Sequence, residues 1–360
     1  MKWKDWMGVF LLCVLVGLIK IVSNHPGWIQ QSYAQGLYPW IALSQRFLLG
    51  WIPLSVGDLG YALLIHWVCW NLFRLLKDRK QWVQSRTYLL GKFKSLICYI
   101  LLPYVLFNIL WGMNYNKPSV VKQFKLHTDS ITQEDMRILM QHLVYKLNRL
   151  EPIARQQQKE MKQPDAVFEE AVNAYHSLAK RNPTFQYKIP AVKASLFGGL
   201  GNYLGYAGYY NPFTGEAQVN TAILPVQLPF TTCHEIAHQL GYAKENEANI
   251  IGFLAAKNAK NNYFKYALYF DIYAYCRPYL RYMDSTALKQ MDHQLNPSIQ
   301  QEYKNAVKFY EQYNNPIEVV IDRLYGQFLK ANQQPEGKMS YNRMVLWMVA
   351  YYKKYGIEAI

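Results

Sequence analysis

Residues 233–249 read CHEIAHQLGYAKENEAN. His234 and His238 are four apart, so on a helix they project from one face, a single turn from each other. Their imidazoles can then reach one Zn2+ at about 2.0–2.1 Å. Glu235 follows the first histidine, at the edge of that face. There a carboxylate can take a proton from water activated by the ion and hand it to a leaving amine. This is the H-E-x-x-H arrangement of metal-dependent peptidases. The bland expectation is a polar helix whose histidines and glutamate face water, with Gly241 a plain helix end.

The neighbouring residues favour the metal. Thr231 and Thr232 can cap a helix that begins where the histidines need it. Gly241, three past His238, is the residue type that closes a helix at positive φ. A second helix then starts near Lys244, and Glu245, Ala248, Asn249 and Gly252 share one of its faces, small residues at two positions allowing close approach to the first helix. Glu245, at the start of that face, is the expected third ligand, and Asn249 the expected hydrogen-bond partner of a ligand histidine. Glu247 lies about 200° around from Glu245 and faces elsewhere. Lys244 stands where H-E-x-x-H-x-x-G-x-x-H would carry its third histidine, and a cation cannot ligate. Cys233 points about 100° away from His234 and is not a ligand. Three protein ligands beside a glutamate leave a fourth position open, which distinguishes a catalytic zinc from a structural one.

The elements that must hold this site divide into an apolar N-terminal third and a polar remainder. Three apolar runs, near 6–23, 59–76 and 95–115, have the length of a bilayer core. Residues 1–113 carry 11 Lys and Arg against 3 Asp and Glu, and residues 114–360 carry 28 against 21. Most of the positive excess therefore sits beside the apolar runs. No Lys/Arg stripe with interleaved aromatics marks a nucleic-acid platform, and no nucleic-acid partner is expected. Lys77, Arg79, Lys80, Arg86, Lys92 and Lys94 between the second and third runs, with Lys2 and Lys4 at the start, place those segments in the cytoplasm. Residues 116–360 then lie on the outer face. The apolar, proline-punctuated segment 36–58 is expected in or on the interface rather than across it.

Within 116–360 a helix is expected from the capping residues at Ser130 onward. Its apolar face runs through Met136, Leu139, Met140, Leu143, Val144, Leu147 and Leu150, and Pro152 marks its bend or end. A second helix is expected over 165–180. The stretch 194–224 is rich in Gly and Tyr with an NPFTG turn, and Ala217, Val219 and Thr221 alternate as in a strand. Helical patterns dominate from 231 on. The fold class is thus mainly α with a small β-sheet, 1–115 forming a membrane region and 116–360 an extracytoplasmic domain. Cys233 and Cys276 are the only cysteines outside the spans, and no spacing argues for pairing them.

HEIAH followed by ENEAN resembles the gluzincin metallopeptidases, whose pattern is H-E-x-x-H and then E-x-x-A-D; Asn249 replaces the aspartate. The whole chain also resembles a family of bacterial membrane proteins described as a domain of unknown function. That likeness rests on IPLSVGDLGY (52–61), WGMNYNKP (111–118), YYNPFTGEAQVN (209–220) and YGQFLKANQQPEGKMSY (325–341). It implies a zincin-like outer domain on three spans. In zincins a strand beside the active helix pairs with the substrate backbone, and Glu216–Ile223 is the candidate strand, the alternative being that it pairs only within its own sheet. A donor to the developing oxyanion is expected from Tyr209, Tyr210, Tyr325 or Tyr341.

The resulting expectation is a membrane-anchored zinc metallopeptidase acting on exported proteins or peptides, with Glu235 as base and His234, His238 and Glu245 as ligands. Its partners are the lipid bilayer and a peptide or protein substrate. A non-enzymatic membrane receptor or scaffold of the same fold, or a hydrolase of cell-wall peptide amides, are the rivals. HEIAH is distant in sequence from every span, which argues against intramembrane cleavage.

Overall fold

The chain is described by a computed structural model over residues 6–78, 85–128, 131–335 and 340–360, with side chains from 343 in the last stretch. Four helices form the N-terminal region: α1 (Met7–Ser23), α2 (Pro26–Leu49), α3 (Val56–Lys77) and α4 (Arg86–Leu110). Both α3 and α4 are long and apolar enough to cross a bilayer, and few of the residues in their apolar stretches are fully buried. The first apolar run is shorter, at 17 residues, and packs along α4. It meets the span criterion only together with α2, from which it is bent by 95°, so two or three crossings are available. Segment 36–58 is largely helical rather than a loop. It turns sharply off α1 and exposes Trp40 (70 %) and Trp51 (76 %), the residue type that favours the headgroup layer.

The second span starts earlier than 59 because its first turn is capped. Ser55 Oγ accepts from Asp58 N at 3.1 Å, and the buried carboxylate of Glu216 accepts the N–H groups of Val56 (3.1 Å) and Gly57 (2.7 Å). These are donors that a helix leaves without an internal partner, and an anion suits the positive end of the helix dipole. Asp58 in turn accepts from Ser195 Oγ, Leu196 N and Tyr209. The third span stops at Leu110 instead of reaching Tyr115, and the chain winds into a 3-10 turn, Gly112–Asn116. A Cβ at Gly112 would meet the Phe107 ring at 2.5 Å, so only glycine fits there.

Beyond Pro118 the chain is mainly helical with a small sheet. Helix α5 (Gln133–Gln157) opens on a reciprocal capping box between Thr132 and Asp135, Ser130 lying outside the described residues. Its expected apolar face is buried from Met136 to Leu147. Pro152 neither ends nor breaks it; the Asn148 carbonyl that proline leaves without an N–H lies 3.4 Å from Asn296 Nδ2. Helix α6 (Pro164–Arg181) follows, and then β1 (Val192–Ala194), α7 (Gly198–Leu204), β2 (Gly208–Asn211) and β3 (Glu216–Val219). The remaining helices are α8 (Leu228–Gln239), α9 (Glu245–Ala256), α10 (Asn262–Met283), α11 (Ser285–Gln294), α12 (Pro297–Glu311), α13 (Pro316–Ala331) and α14 (Ser340–Tyr355).

One buried apolar cluster extends from Val120 to Ile360, with α8 and α9 inside it and α5 packed on α10. A second cluster joins Ile29, Tyr33 and Tyr38 of α2 to Trp111, Tyr115, Tyr210 and Ala243, tying the N-terminal helices to the rest of the chain. Cys233 and Cys276 are buried free thiols.

The sheet overturns one expectation. Its order is β1-β3-β2, with β1 parallel and β2 antiparallel to β3, so β3 is the central strand. Both edges of Glu216–Val219 are already paired, and no substrate backbone can add to it. The strand also stops short of Ile223, because Asn220 turns its side chain onto Ala222 N (2.9 Å) and Asn202 Oδ1 (2.8 Å).

Candidate metal centre

Helix α8 begins at Leu228 with proline in its first turn, earlier than the threonines. Thr232 returns its hydroxyl to the Leu228 carbonyl (2.7 Å), so neither Thr231 nor Thr232 caps the helix. The C-terminal end forms as the glycine implied. Gly241 has φ +85°, the N–H of Tyr242 reaches the Ala237 carbonyl (3.1 Å) and that of Gly241 reaches His238 (2.9 Å). This reversal brings the Tyr242 carbonyl to 2.7 Å from His238 Nδ1. Helix α9 then lies against α8 through Ala248 and Gly252; a Cβ at 252 would stand 3.1 Å from the His234 main-chain nitrogen.

The two helices bring His234, His238 and Glu245 together, with one ligand atom of each within 4.8 Å of the others. His234 Nε2 is 3.0 Å from His238 Nε2 and 3.1 Å from Glu245 Oε2, and His238 Nε2 is 3.6 Å from the same oxygen. A carbonyl only accepts, so His238 Nδ1 carries the ring proton, and Asn249 presents Oδ1 to His234 Nδ1 at 2.7 Å. In the neutral rings both Nε2 atoms are therefore acceptors, facing each other and a carboxylate. A proton on one ring or a cation held among the three satisfies such a set. A tetrahedral zinc with bonds of about 2.0–2.1 Å would separate its ligand atoms by about 3.4 Å, close to the spacing present. The residues fit the ion.

Glu245 accepts from Tyr325 Oη through its other oxygen at 2.5 Å, and its N–H donates to Gln334 Oε1 at 3.1 Å. Burial alone would raise its carboxyl; the charges and hydrogen bonds of His238 and His234 outweigh this and hold it well below the usual range. Glu235 is in the opposite condition. Burial pushes its carboxyl up to about 8, Glu245 adding to the effect and His234 opposing it. Its Oε2 has no hydrogen-bond partner among the described residues. The carboxyl lies against Gly208 of β2, where a Cβ would meet Oε1 at 2.7 Å. A proton-accepting group thus stands next to the three ligands with a free oxygen.

Of the four tyrosines, Tyr325 is the one hydrogen-bonded to a ligand. Tyr209 is engaged with Asp58, Tyr210 packs on Trp111 with ring centroids 5.1 Å apart, and the Tyr341 side chain lies outside the described residues. Glu247 is buried away from the ligands and accepts from Val120 N at 3.2 Å.

Sequence reasoning missed the residues around His238. Trp111 Nε1 donates to the His238 carbonyl at 3.1 Å, and Tyr38 Oη donates to the next carbonyl, Gln239, at 2.8 Å. Trp111 is the residue after the end of α4. HEIAH is remote from the spans in sequence yet touches the end of one in space. Partners 127 and 201 residues away leave no trace in a local pattern.

Residues 33–349 match the model of a family described as a protein of unknown function, DUF3810. The chain belongs to that family. No curated protein and no solved structure matches it. The match covers α3, α4, the sheet and the α8–α9 pair together, so the DUF3810 region takes in both the spans and the candidate centre.

Proposed function

We propose that this protein is a membrane-anchored, zinc-dependent peptidase of zincin-like design, with residues 116–360 on the outer face of the cell membrane. The observation that carries the reading is the pair of Nε2 atoms 3.0 Å apart, each imidazole oriented through its Nδ1, with Glu245 facing them and the unpartnered Glu235 carboxylate alongside. His234, His238 and Glu245 would hold the ion, which when bound supplies Lewis acidity toward water and a peptide carbonyl. Glu235 takes the proton of the attacking water and returns it to the departing amine. Its raised affinity for a proton suits that exchange near neutral pH. Tyr325 fixes the Glu245 carboxylate and is the donor we assign to a developing oxyanion. The outward placement follows from the lysines and arginines between α3 and α4.

The test is elemental analysis of the purified full-length chain together with a peptide-library assay of wild type and Glu235→Gln. About one zinc per chain in both proteins, with hydrolysis in wild type alone, is the expected result. Chains free of zinc would remove the metal. Zinc without turnover in wild type would leave the receptor or scaffold of the same fold.

A further inference from the structure

Helix α13 has a side that none of the described residues covers. Ile317, Val320, Leu324 and Phe328 recur at helical spacing and fall within an arc of about 80°. They are 62, 57, 56 and 38 % exposed, while Leu329, on another side of the helix, is fully buried. Arg323 and Lys330 flank the stripe. A soluble surface rarely carries such a row of large apolar groups.

The surroundings identify what covers it. The Phe328 ring lies 6.0 Å from that of Phe107, three residues from the end of α4, where the neighbouring Leu106 and Leu102 are exposed as a span requires. The stripe therefore continues the lipid-facing surface of α4. At its other end, Asn315, the N-cap of α13, donates to the Tyr203 carbonyl of α7 (2.8 Å). Just before α7, the N–H of Leu196 donates to Asp58 in the first turn of α3 (2.6 Å). α13 is thus bracketed by the ends of two spans, at the level where both meet the headgroups. Apolar stripe, basic flank and position are those of a helix lying in the interface plane.

We propose that α13 docks its Ile317–Val320–Leu324–Phe328 stripe into the outer leaflet of the bilayer. Tyr325, about 90° around the helix from the stripe, holds Glu245, so the metal centre sits about one helix diameter from the lipid surface. The substrate class follows, and rests on the peptidase reading above: a peptide bond in an extracytoplasmic segment close to its own membrane anchor. A freely diffusing peptide in bulk solvent has no use for a site held there.

The test uses the full chain with Cys13, Cys69 and Cys98 changed to alanine, reconstituted in phosphatidylcholine–phosphatidylglycerol vesicles. A nitroxide is placed in turn at Val320→Cys, Leu324→Cys and Arg323→Cys. Positions 320 and 324 should be relaxed by oxygen and shielded from a water-soluble nickel chelate, and position 323 the reverse. Nickel access at 320 and 324 equal to that at 323 would overturn the docking. So would shielding from both reagents with spin–spin broadening, which marks a second copy of the chain on the stripe. For the substrate class, lipid-anchored peptides carry one scissile sequence about ten or about sixty residues from the anchor. Faster cleavage of the near bond supports the proposal, and faster cleavage of the far bond overturns it. Lipid depth as expected with no cleavage of either keeps the docking and removes the peptidase.

Discussion

Trp111 and His238 are joined by a 3.1 Å hydrogen bond from the indole N–H to the main-chain carbonyl, and their rings meet edge to face with centroids 5.9 Å apart. The end of a helix long and apolar enough to cross a membrane thereby becomes part of the wall behind a candidate metal ligand. Replacing Trp111 by Phe keeps the ring contact and removes the donor. We expect a loss of about 1 kcal/mol in unfolding free energy for the bond itself, added to the cost of a smaller ring at a buried position. The measurement is denaturant unfolding in detergent, and an unchanged midpoint would show that the bond holds nothing.

Asn249 orients His234 from 2.7 Å. Asn249→Leu removes the acceptor and should weaken zinc binding by about 10- to 100-fold in chelator competition. Asn249→Asp restores the acceptor with a charge and should bind at least as tightly as wild type. Equal affinities for the Leu variant and wild type would dismiss the orienting role.

Gly252 sets the distance between α8 and α9. A larger side chain has backbone, not flexible atoms, in front of it, the His234 nitrogen and Cα lying at 3.1 and 3.2 Å from a Cβ. Gly252→Val should cost about 1–3 kcal/mol by overpacking and lower zinc affinity at the same time. Gly326→Ala, on α13 with open space around it, is the matched control and should be neutral or slightly stabilising. If both variants bind zinc like wild type, the helix spacing does not set the site.

Gly208 performs the corresponding service for Glu235. Gly208→Val pushes a methyl-bearing carbon into the Glu235 carboxyl and toward the Gln218 carbonyl of β3, with none of the three ligands among its nearest atoms. Zinc content should stay at the wild-type level and hydrolysis should fall about as far as in Glu235→Gln. Loss of metal in this variant would mean that β2 supports the ligands rather than the base.

Asp135 gives a pH signature far from the site. Burial alone would raise its carboxyl, but hydrogen bonds from the Thr132 main chain, Lys353, the Thr132 hydroxyl and Tyr352 prevail and lower it to about 2. A carboxyl depressed in the folded state contributes stability above its unfolded pKa, near 4, and loses it as pH falls through about 2. Asp135→Asn should therefore be less stable than wild type at pH 7, and the difference should shrink between pH 4 and 2. A pH-independent difference in unfolding midpoints would assign the effect to something other than this carboxylate.

Local patterns carried a definite share of this structure. The i, i+4 spacing of His234 and His238, the glycine at 241 and the helical face of Glu245, Ala248, Asn249 and Gly252 are short-range features. Helix geometry alone converts them into a shared position. The apolar face of α5 was legible for the same reason, as was the presence of span-length apolar helix, although α4 begins at Arg86, nine residues before the apolar run. Helix limits were less so. Pro152 passes through α5 because Asn296 reaches the carbonyl that proline leaves without an N–H, and α4 stops at Leu110 because the chain must turn for Trp111 to meet His238.

By itself, then, the sequence determined which side chains can share a helix face, and that the chain is rich in span-length apolar helix. Tertiary structure alone decided that β3 is the central strand, that Gly208 flanks Glu235, and that the HEIAH helix abuts the end of a span. The physical reason is range. Periodicity records contacts within one turn or one strand, whereas strand order and helix-end docking come from pairing and burial between separate segments, from Val192 and Ala217 in the sheet to Trp111 and His238, 127 residues apart.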